Sequence, residues 1–338
     1  MSIEHNVSLQ PYNTFGIDVR AKHLARVQPL DQLSDILSNK VFKTENCFIL
    51  GGGSNVLFTK NVDGLVLKNE LLGIDAVDDN SQSAILKAGA GVGWHAMVMH
   101  SVELGLYGIE NLALIPGNVG AAPMQNIGAY GVELKDVFHE LEAIHLETGE
   151  MHRFNATECS FGYRESVFKR ALRGEYMITS VSLKLHKQGK LNTSYGAIAQ
   201  QLEAMGVQEP TVKDVSDAVI SIRRSKLPDP KVLGNAGSFF KNPVVDYALY
   251  ERLNQQYTAI PAYSAEGTSM KLAAGWLIEQ CGWKGKVVGN TGSHRDQALV
   301  LVNYGNATGV EILQLSKAIM KSVFDTFGVQ LEQEVNVY

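Results

Sequence analysis

The stretch Leu112-Ala-Leu-Ile-Pro-Gly-Asn-Val-Gly-Ala-Ala-Pro-Met-Gln-Asn-Ile-Gly-Ala-Tyr-Gly131 decides how this chain is read. Gly117, Gly120, Gly128 and Gly131 are punctuated by Pro116 and Pro123, and no charged residue interrupts them. Glycine permits positive φ and lets another molecule approach the main chain closely. Proline stiffens the turns between. The remaining side chains are small or apolar (Ala113, Val119, Ala121, Ala122, Ile127), joined by the carboxamides of Gln125 and Asn126. That mixture suits a shaped loop whose amides and carboxamides face a planar, hydrogen-bonding ligand with an anionic tail. An ordinary irregular loop is the competing reading, but loops of this length without charge are uncommon and tend to carry function.

A second glycine turn lies upstream. Cys47-Phe-Ile-Leu50 reads as a buried strand that runs into Gly51-Gly-Gly-Ser-Asn55. Successive amides joined by a hydroxyl after a strand make a good phosphate nest; a plain tight turn is the alternative. No Gly-Lys-Ser/Thr follows, so this is not a Walker loop. Ala84–Ala88 reads as a strand, followed by Gly89-Ala-Gly-Val-Gly93 and a helix over Trp94–Leu104. Trp94 stands where a dinucleotide fingerprint needs its third glycine, so that motif fails.

Further out, the pattern predicts a helix near Leu30–Ser38 and strands at Val62–Leu67, Leu141–Leu146 and Tyr176–Leu185, the last with alternating apolar and polar positions. Gly189–Gly196 is polar and flexible and carries Tyr195. An amphipathic helix over Val212–Ser225 ends in Arg223 and Arg224, and Lys226-Leu-Pro-Asp-Pro-Lys231 breaks it like a domain junction. Gly234–Pro243 packs Ser238, Lys241 and Asn242 among glycines and aromatics. A helix over Met270–Cys281, the glycine-rich Gly282–Gly292, a strand at Ala298–Val302, a helix at Thr308–Phe327 and a terminal strand at Val329–Val337 follow. The element mix is α+β.

At 338 residues the chain has room for roughly two domains. A net charge of −5 argues against a general binder of nucleic acid or anionic membrane. An anionic substrate would need local clusters such as Arg223, Arg224, Lys226 and Lys231. Cys47, Cys159 and Cys281 lie far apart without a C-x-x-C pair, which fits a reducing cytoplasm and excludes a disulfide framework. The N-terminal residues lack the basic-then-apolar pattern of a signal peptide, and no apolar run reaches transmembrane length. The histidines do not fall at metal-ligand spacing, and neither H-E-x-x-H nor G-x-S-x-G is present. What remains is a glycine-lined cradle with scattered polar groups, the signature of an enzyme whose cofactor does the hard chemistry.

Asn13-Thr-Phe-Gly16, Gly51-Gly-Gly-Ser-Asn55, Ile115–Gly131, Phe161-Gly-Tyr-Arg-Glu-Ser166, Gly237-Ser-Phe-Phe-Lys-Asn-Pro243 and Leu331-Glu-Gln-Glu-Val335 occur here in that order. Together they resemble the UDP-N-acetylenolpyruvoylglucosamine reductase family, flavoenzymes of bacterial peptidoglycan synthesis, in the form with a tyrosine loop around Tyr195. The resemblance implies an α+β fold: an FAD-binding domain of the vanillyl-alcohol-oxidase (PCMH-like) type in two α/β subdomains, 1–70 and 71–225, with the tyrosine loop near 188–200. A C-terminal α+β substrate-binding domain, 226–338, would follow, its last strand free to return to the flavin domain.

The resemblance further implies NADPH-driven, FAD-dependent reduction of UDP-N-acetylglucosamine enolpyruvate by a cytoplasmic monomer that neither binds nucleic acid nor inserts into a membrane. It places FAD against Gly51, Gly52, Gly53, Ser54, Asn55, Ile115, Pro116, Gly117, Gly120, Ala121, Gln125, Asn126, Gly128, Tyr130 and Gly131, with Arg223 contacting flavin or NADPH. Tyr195, Lys226, Asn242, Tyr263, Lys284 and Gln297 are assigned to the nucleotide diphosphate and sugar. Hydride addition to the vinyl carbon builds negative charge that spreads into the substrate carboxylate, and fixed donors must meet it. The resemblance assigns Arg164 and Glu334 to that task and Ser238 to proton delivery. Glu334 helps only when protonated or hydrogen-bonded, so burial is expected to raise its pKa.

On the residues alone, Arg164 reads as a surface ion-pair partner of Glu165 or Asp136, Ser238 as a brace of the Gly237 turn, and Glu334 as a solvent-facing strand residue. Two other functions compete. One is a flavin-dependent alcohol oxidase or dehydrogenase on the same cradle, although no His or Cys for a covalent flavin lies within Leu112–Gly131. The other is a non-catalytic nucleotide-sugar sensor, which has no use for a proton donor.

Overall fold

The computed structural model describes residues 3–257, 260–265 and 267–338. Contacts divide the chain into two units. The first holds the N-terminal residues through Val7, then Arg20–Gly53 and Val62–Ser225; the second holds Ser8–Val19, Ser54–Asn61 and Lys226–Tyr338.

The first unit is built on two sheets. In one, the strands Glu4–Ser8, Arg20–Val27, Val62–Asn69 and Cys47–Leu50 lie side by side in that order. Arg20–Val27 and Cys47–Leu50 both run parallel to Val62–Asn69. Val62–Asn69 is buried continuously from Gly64, as a central parallel strand covered on both faces must be. The helix Asp31–Ser38 turns Leu33 and Ile36 into that core against Leu65 and Leu67. The strand Cys47–Leu50 ends at Gly51, which carries the glycine turn out of the sheet edge.

The second sheet is five-stranded, with Met151–Asn155, Phe138–His145, Tyr176–His186, Ser83–Gly89 and Ile74–Asp79 in that order. Tyr176–His186 is central and buried at nearly every position, including Thr179, Ser180 and Ser182. Its apparent alternation therefore does not mark a half-solvated strand. Its small hydroxyl residues are buried polar groups whose partners lie within the protein: Thr179 donates to the Glu142 carbonyl and Ser180 to the Glu142 carboxylate.

Glu142 is the polar centre of this sheet. Its carboxylate accepts from Lys87 at 2.6 Å and Ser180 at 3.1 Å, and Arg153 lies 3.2 Å away. Burial alone pushes its pKa up, but Lys87, Ser180 and Arg153 together hold it below the usual carboxylate value of 4.5. A depressed folded-state pKa contributes stability above the unfolded value, and that contribution is lost as pH falls through the folded value. Glu142→Gln is expected to lower unfolding stability by about 1–2 kcal/mol at neutral pH. The gap from wild type, followed by urea unfolding at stepped pH, should close below pH 4.5.

The second unit draws in two segments that the expected 1–70 subdomain contained. The loop Asn13–Gly16 is held by Asn235, whose amide donates to the Thr14 carbonyl, and by Asn303, whose side chain donates to the Phe15 carbonyl. Phe15 stacks edge-on against Phe239. Residues 54–61 are held from the C-terminus, where Asn336–Val337 pairs in parallel with Val56–Leu57 and Thr59 donates to the Tyr338 carbonyl. Long-range pairing thus overrides chain proximity, and the last strand pairs with residues that lie within the expected 1–70 subdomain.

Two further elements differ from the sequence reading. The expected helix over Met270–Cys281 is a strand, Ser269–Leu272, followed by a shorter helix, Ala274–Gln280. Ser269–Leu272 pairs on one side with Val244–Asp246 and on the other with Ala262–Ser264, partners that outweigh local helical preference. The terminal segment Val329–Val337 forms a ladder only at Asn336–Val337. Before it, the chain bridges once, Phe240 to Gln333. The amphipathic helices Val212–Lys226 and Gly309–Phe327 occur where the periodicity predicts them. Among the described residues no helix is long and apolar enough to cross a membrane.

Candidate active site

The central stretch of the first unit is not an irregular loop. It forms two short 3-10 turns, Val119–Ala121 and Pro123–Gln125, and a small hairpin pairing Gly128–Ala129 with Val132–Glu133. Trp94, the residue that spoils the dinucleotide fingerprint, clamps it. Its amide donates to the Gly117 carbonyl at 2.9 Å, and its buried indole nitrogen donates to the Leu112 carbonyl at 3.0 Å. Gly120 has no room for a side chain, since a Cβ there would lie 2.4 Å from Ala90 Cβ; its amide is spent on the Ala90 carbonyl. Gly120 is therefore a packing glycine that sets the depth of the loop.

The upstream glycine turn meets this stretch at Gly52. A Cβ there would sit 2.7 Å from the Asn118 side-chain oxygen and 3.0 Å from Gly117 Cα. Among the described residues, the amides of Gly52, Gly117 and Asn118 have no hydrogen-bond partner. Two close-set glycine turns with open N–H groups form a cradle for an anion such as a diphosphate. The side chain of Asn126, by contrast, is used within the protein. Its amide donates to Glu133 and to the Gly162 carbonyl, and its oxygen accepts from the Lys135 amide. Asn126 thus braces the hairpin.

At the hairpin end, Tyr130 adopts φ 50° and Gly131 φ 79°. Tyr130 meets Tyr195 edge to face, with ring centroids 5.3 Å apart. Burial raises the Tyr130 phenol pKa against the pull of Arg223 beside it. Burial also lowers the Arg223 guanidinium, which Tyr130 holds up in return. Arg223 Nε is buried without a hydrogen-bond partner, an orphaned donor in a cationic corner shared with Arg224.

Arg164 occupies a tight turn closed by Gly162 and Glu165, whose backbones bond each other in both directions. Its φ of 55° lies in the left-handed region, where a turn ordinarily takes Gly, Asn or Asp. Such strain persists where the side chain is needed. Arg164 Nη2 donates to the Gly128 carbonyl at 2.7 Å, which ties the guanidinium to the hairpin. Glu165, the partner that the surface reading offered, also pairs with Arg170 at 3.1 Å.

The second unit gathers Ser238, Asn242, Gln297, Glu334 and Asn55. Ser238 ends the strand Gly234–Ser238 and lies opposite Val300. The Gly237 turn is braced by Asn235, whose oxygen accepts from the Gly237 amide at 2.9 Å. Ser238 therefore does not serve as the brace, and among the described residues its hydroxyl has no partner. Glu334, half-buried, is set beside it: its amide donates to the Phe239 carbonyl at 2.8 Å and its carbonyl accepts from Asn55 at 3.3 Å. The neighbouring Glu332 is exposed and spent on Lys241. Asn242 accepts from the amide of Ala274 and Gln297 approaches Gly275, so both flank the start of the helix Ala274–Gln280. Lys226 and Tyr263 are exposed, and Lys284 pairs with Glu279 at 2.9 Å; none of the hydrogen bonds among the described residues joins these three to the Ser238 cluster.

Residues 21–155 match the model of an FAD binding domain, and residues 229–338 match the model of the UDP-N-acetylenolpyruvoylglucosamine reductase C-terminal domain. A UDP-N-acetylenolpyruvoylglucosamine reductase of Flavobacterium johnsoniae is 50% identical over the full length of both chains. The chain belongs to the UDP-N-acetylenolpyruvoylglucosamine reductase family. A reductase of the same name from Pseudomonas savastanoi is 47% identical over 100% of this chain and 99% of its own. The crystal structure of a UDP-N-acetylenolpyruvylglucosamine reductase from Thermus caldophilus superposes with a TM-score of 0.70 at 23% identity, covering 100% of this chain and 99% of that one, and so shares its fold.

Within this reductase fold, the sequence reading passed over several residues. Asn118 lies inside the quoted stretch and presses on Gly52 while its amide side chain donates to the Gly91 carbonyl. His95 Nδ1 accepts from Leu114, which adopts φ 59°; burial and then the charges of Arg224 and Arg223 lower its pKa. Lys68 donates to the Gly51 carbonyl at 2.6 Å, and burial lowers its pKa. A lone lysine in the apolar run Leu65–Asn69 was a readable signal. Lys169, 3.4 Å from the Gln125 side-chain oxygen, carried none, because its role depends on how two loops pack.

Proposed function

We propose that this protein reduces UDP-N-acetylglucosamine enolpyruvate to UDP-N-acetylmuramate, using FAD and NADPH, for peptidoglycan precursor synthesis. Identity of 50% across the full length to a named reductase carries this reading. FAD held in the first unit would supply the hydride, with NADPH as the source of electrons. The first unit fits such a cofactor: Gly52, Gly117 and Asn118 offer unspent amides, and the orphaned Arg223 Nε offers a buried cation. These groups would hold its diphosphate and polar edge.

We assign the first unit to the flavin and the second to the substrate. Arg164, fixed by Gly128, supplies a planar cation that can grip the substrate carboxylate as charge spreads into it. Glu334 assists as a hydrogen-bond donor to the same oxygens. Ser238 delivers the proton to the adjacent carbon; a hydroxyl is a weak acid, but the carbanionic intermediate is a strong base. Asn242 and Gln297 are two-way hydrogen-bonding groups suited to the sugar or uracil. Lys226, Tyr263, Lys284 and Tyr195 complete the nucleotide contacts. A monomeric state and a cytoplasmic location belong to the same reading; the three cysteines are free, which fits a reducing compartment.

The test is a spectrum. Purified protein is expected to be yellow, to bleach with NADPH and to regain colour when UDP-N-acetylglucosamine enolpyruvate is added. Bleaching without recovery on that acceptor overturns the substrate assignment, and steady oxygen consumption on an alcohol would point to an oxidase.

A further inference from the structure

The loop before the helix Gly196–Ala204 is fastened to the Tyr130–Gly131 turn by two asparagines. Asn111 is fully buried, and its one amide group donates to the Tyr130 carbonyl at 3.1 Å and to the Asn192 carbonyl at 2.8 Å. Asn192 returns the contact by donating to the Gly131 carbonyl at 3.0 Å. Its oxygen accepts from the hydroxyl of Ser194 at 2.7 Å, which shapes the chain just before Tyr195. Tyr195 then closes edge-on against Tyr130. Gly131 has no side chain where one is barred, since a Cβ would lie 3.0 Å from the Asn192 amide nitrogen.

We infer that Asn192, seated on Asn111, latches the loop bearing Tyr195 to the Tyr130–Gly131 turn, so that Asn192 is a positioning residue for Tyr195. The inference rests on the proposed reading of Tyr195 as a substrate contact and of Tyr130 as part of the flavin cradle. Tyr195 is 43% exposed, and the backbone ties at Asn192 support its edge-on contact with Tyr130. The latch holds that backbone at the two residues on which its partner ring depends. Asn111 has no alternative acceptor role to trade, because its oxygen is buried without a donor. If the loop lifts, Asn111 keeps its donation to the Tyr130 carbonyl and loses the one to Asn192.

The experiment compares wild type, Asn192→Ala and Asn192→Asp. The aspartate keeps an acceptor for Ser194 but cannot donate to Gly131, so it should behave like the alanine. Two readouts are taken. Trypsin cleavage after Lys190, an exposed residue in the loop, should rise several-fold in both variants while flavin content and melting temperature stay at wild-type values. KM for the enolpyruvyl substrate should rise roughly tenfold with the NADPH half-reaction unchanged, the loss of one pre-ordered side chain. Unchanged cleavage and KM, a wild-type phenotype for Asn192→Asp, or equal damage to both half-reactions with loss of flavin would each overturn the latch. The cleavage comparison needs no substrate, so it decides the latch even if wild-type protein never turns over the enolpyruvyl ether.

Discussion

Ser238→Ala is expected to leave NADPH bleaching of the flavin intact and to slow recovery by the enolpyruvyl substrate by about 10²- to 10⁴-fold. Asn235 braces the Gly237 turn, and the Ser238 hydroxyl has no partner among the described residues. Removing it costs the fold little, so a large kinetic effect cannot be blamed on unfolding. A proton donor acts only in the half-reaction that makes a carbon–hydrogen bond at the second carbon. Stopped-flow traces of the two half-reactions separate the cases: equal loss in both would make Ser238 structural.

Arg164→Lys is expected to slow substrate-driven reoxidation on the order of 10²-fold, again with NADPH reduction near wild type. Lysine keeps the charge and loses the fork. In the proposed role the fork has two jobs, since Nη2 already donates to the Gly128 carbonyl at 2.7 Å and the same guanidinium must also meet the substrate carboxylate. A single ammonium cannot hold the hairpin and a carboxylate at once. The φ of 55° at Arg164 adds a second line. Replacing it with glycine relaxes the turn, so Arg164→Gly should be at least as stable as wild type yet as impaired as the lysine variant. If thermal unfolding shows the glycine variant destabilised and its reoxidation rate unchanged, Arg164 is a structural residue.

Much of the fold was legible because the chain marks it locally. The strands Cys47–Leu50, Ser83–Gly89 and Tyr176–His186 and the helix Gly309–Phe327 carry their periods and their caps in sequence; Thr308 and Glu311 close a capping box at the start of that last helix. Ser269–Leu272 was misread as helix because its strand character comes only from two neighbours far off in the chain. The candidate site divides the same way. Ordered motifs singled out Gly52, Gly117, Arg164, Ser238 and Glu334. They also singled out Asn126 and Gly120, which in the structure brace the hairpin and pack against Ala90.

The family, the two glycine turns and the residue types able to meet a carboxylate and deliver a proton were all readable from the chain alone, because glycine spacing and side-chain chemistry are local properties. Only the tertiary structure decided which amides stay open, which carboxamides are already spent, that Asn235 frees the Ser238 hydroxyl, and that residues 54–61 belong with the C-terminal unit. Those facts depend on which partners the folded backbone brings within hydrogen-bond distance, near in sequence like Asn235 and Gly237 or far like Asn126 and Gly162, and the satisfaction of a buried polar group is a property of its surroundings.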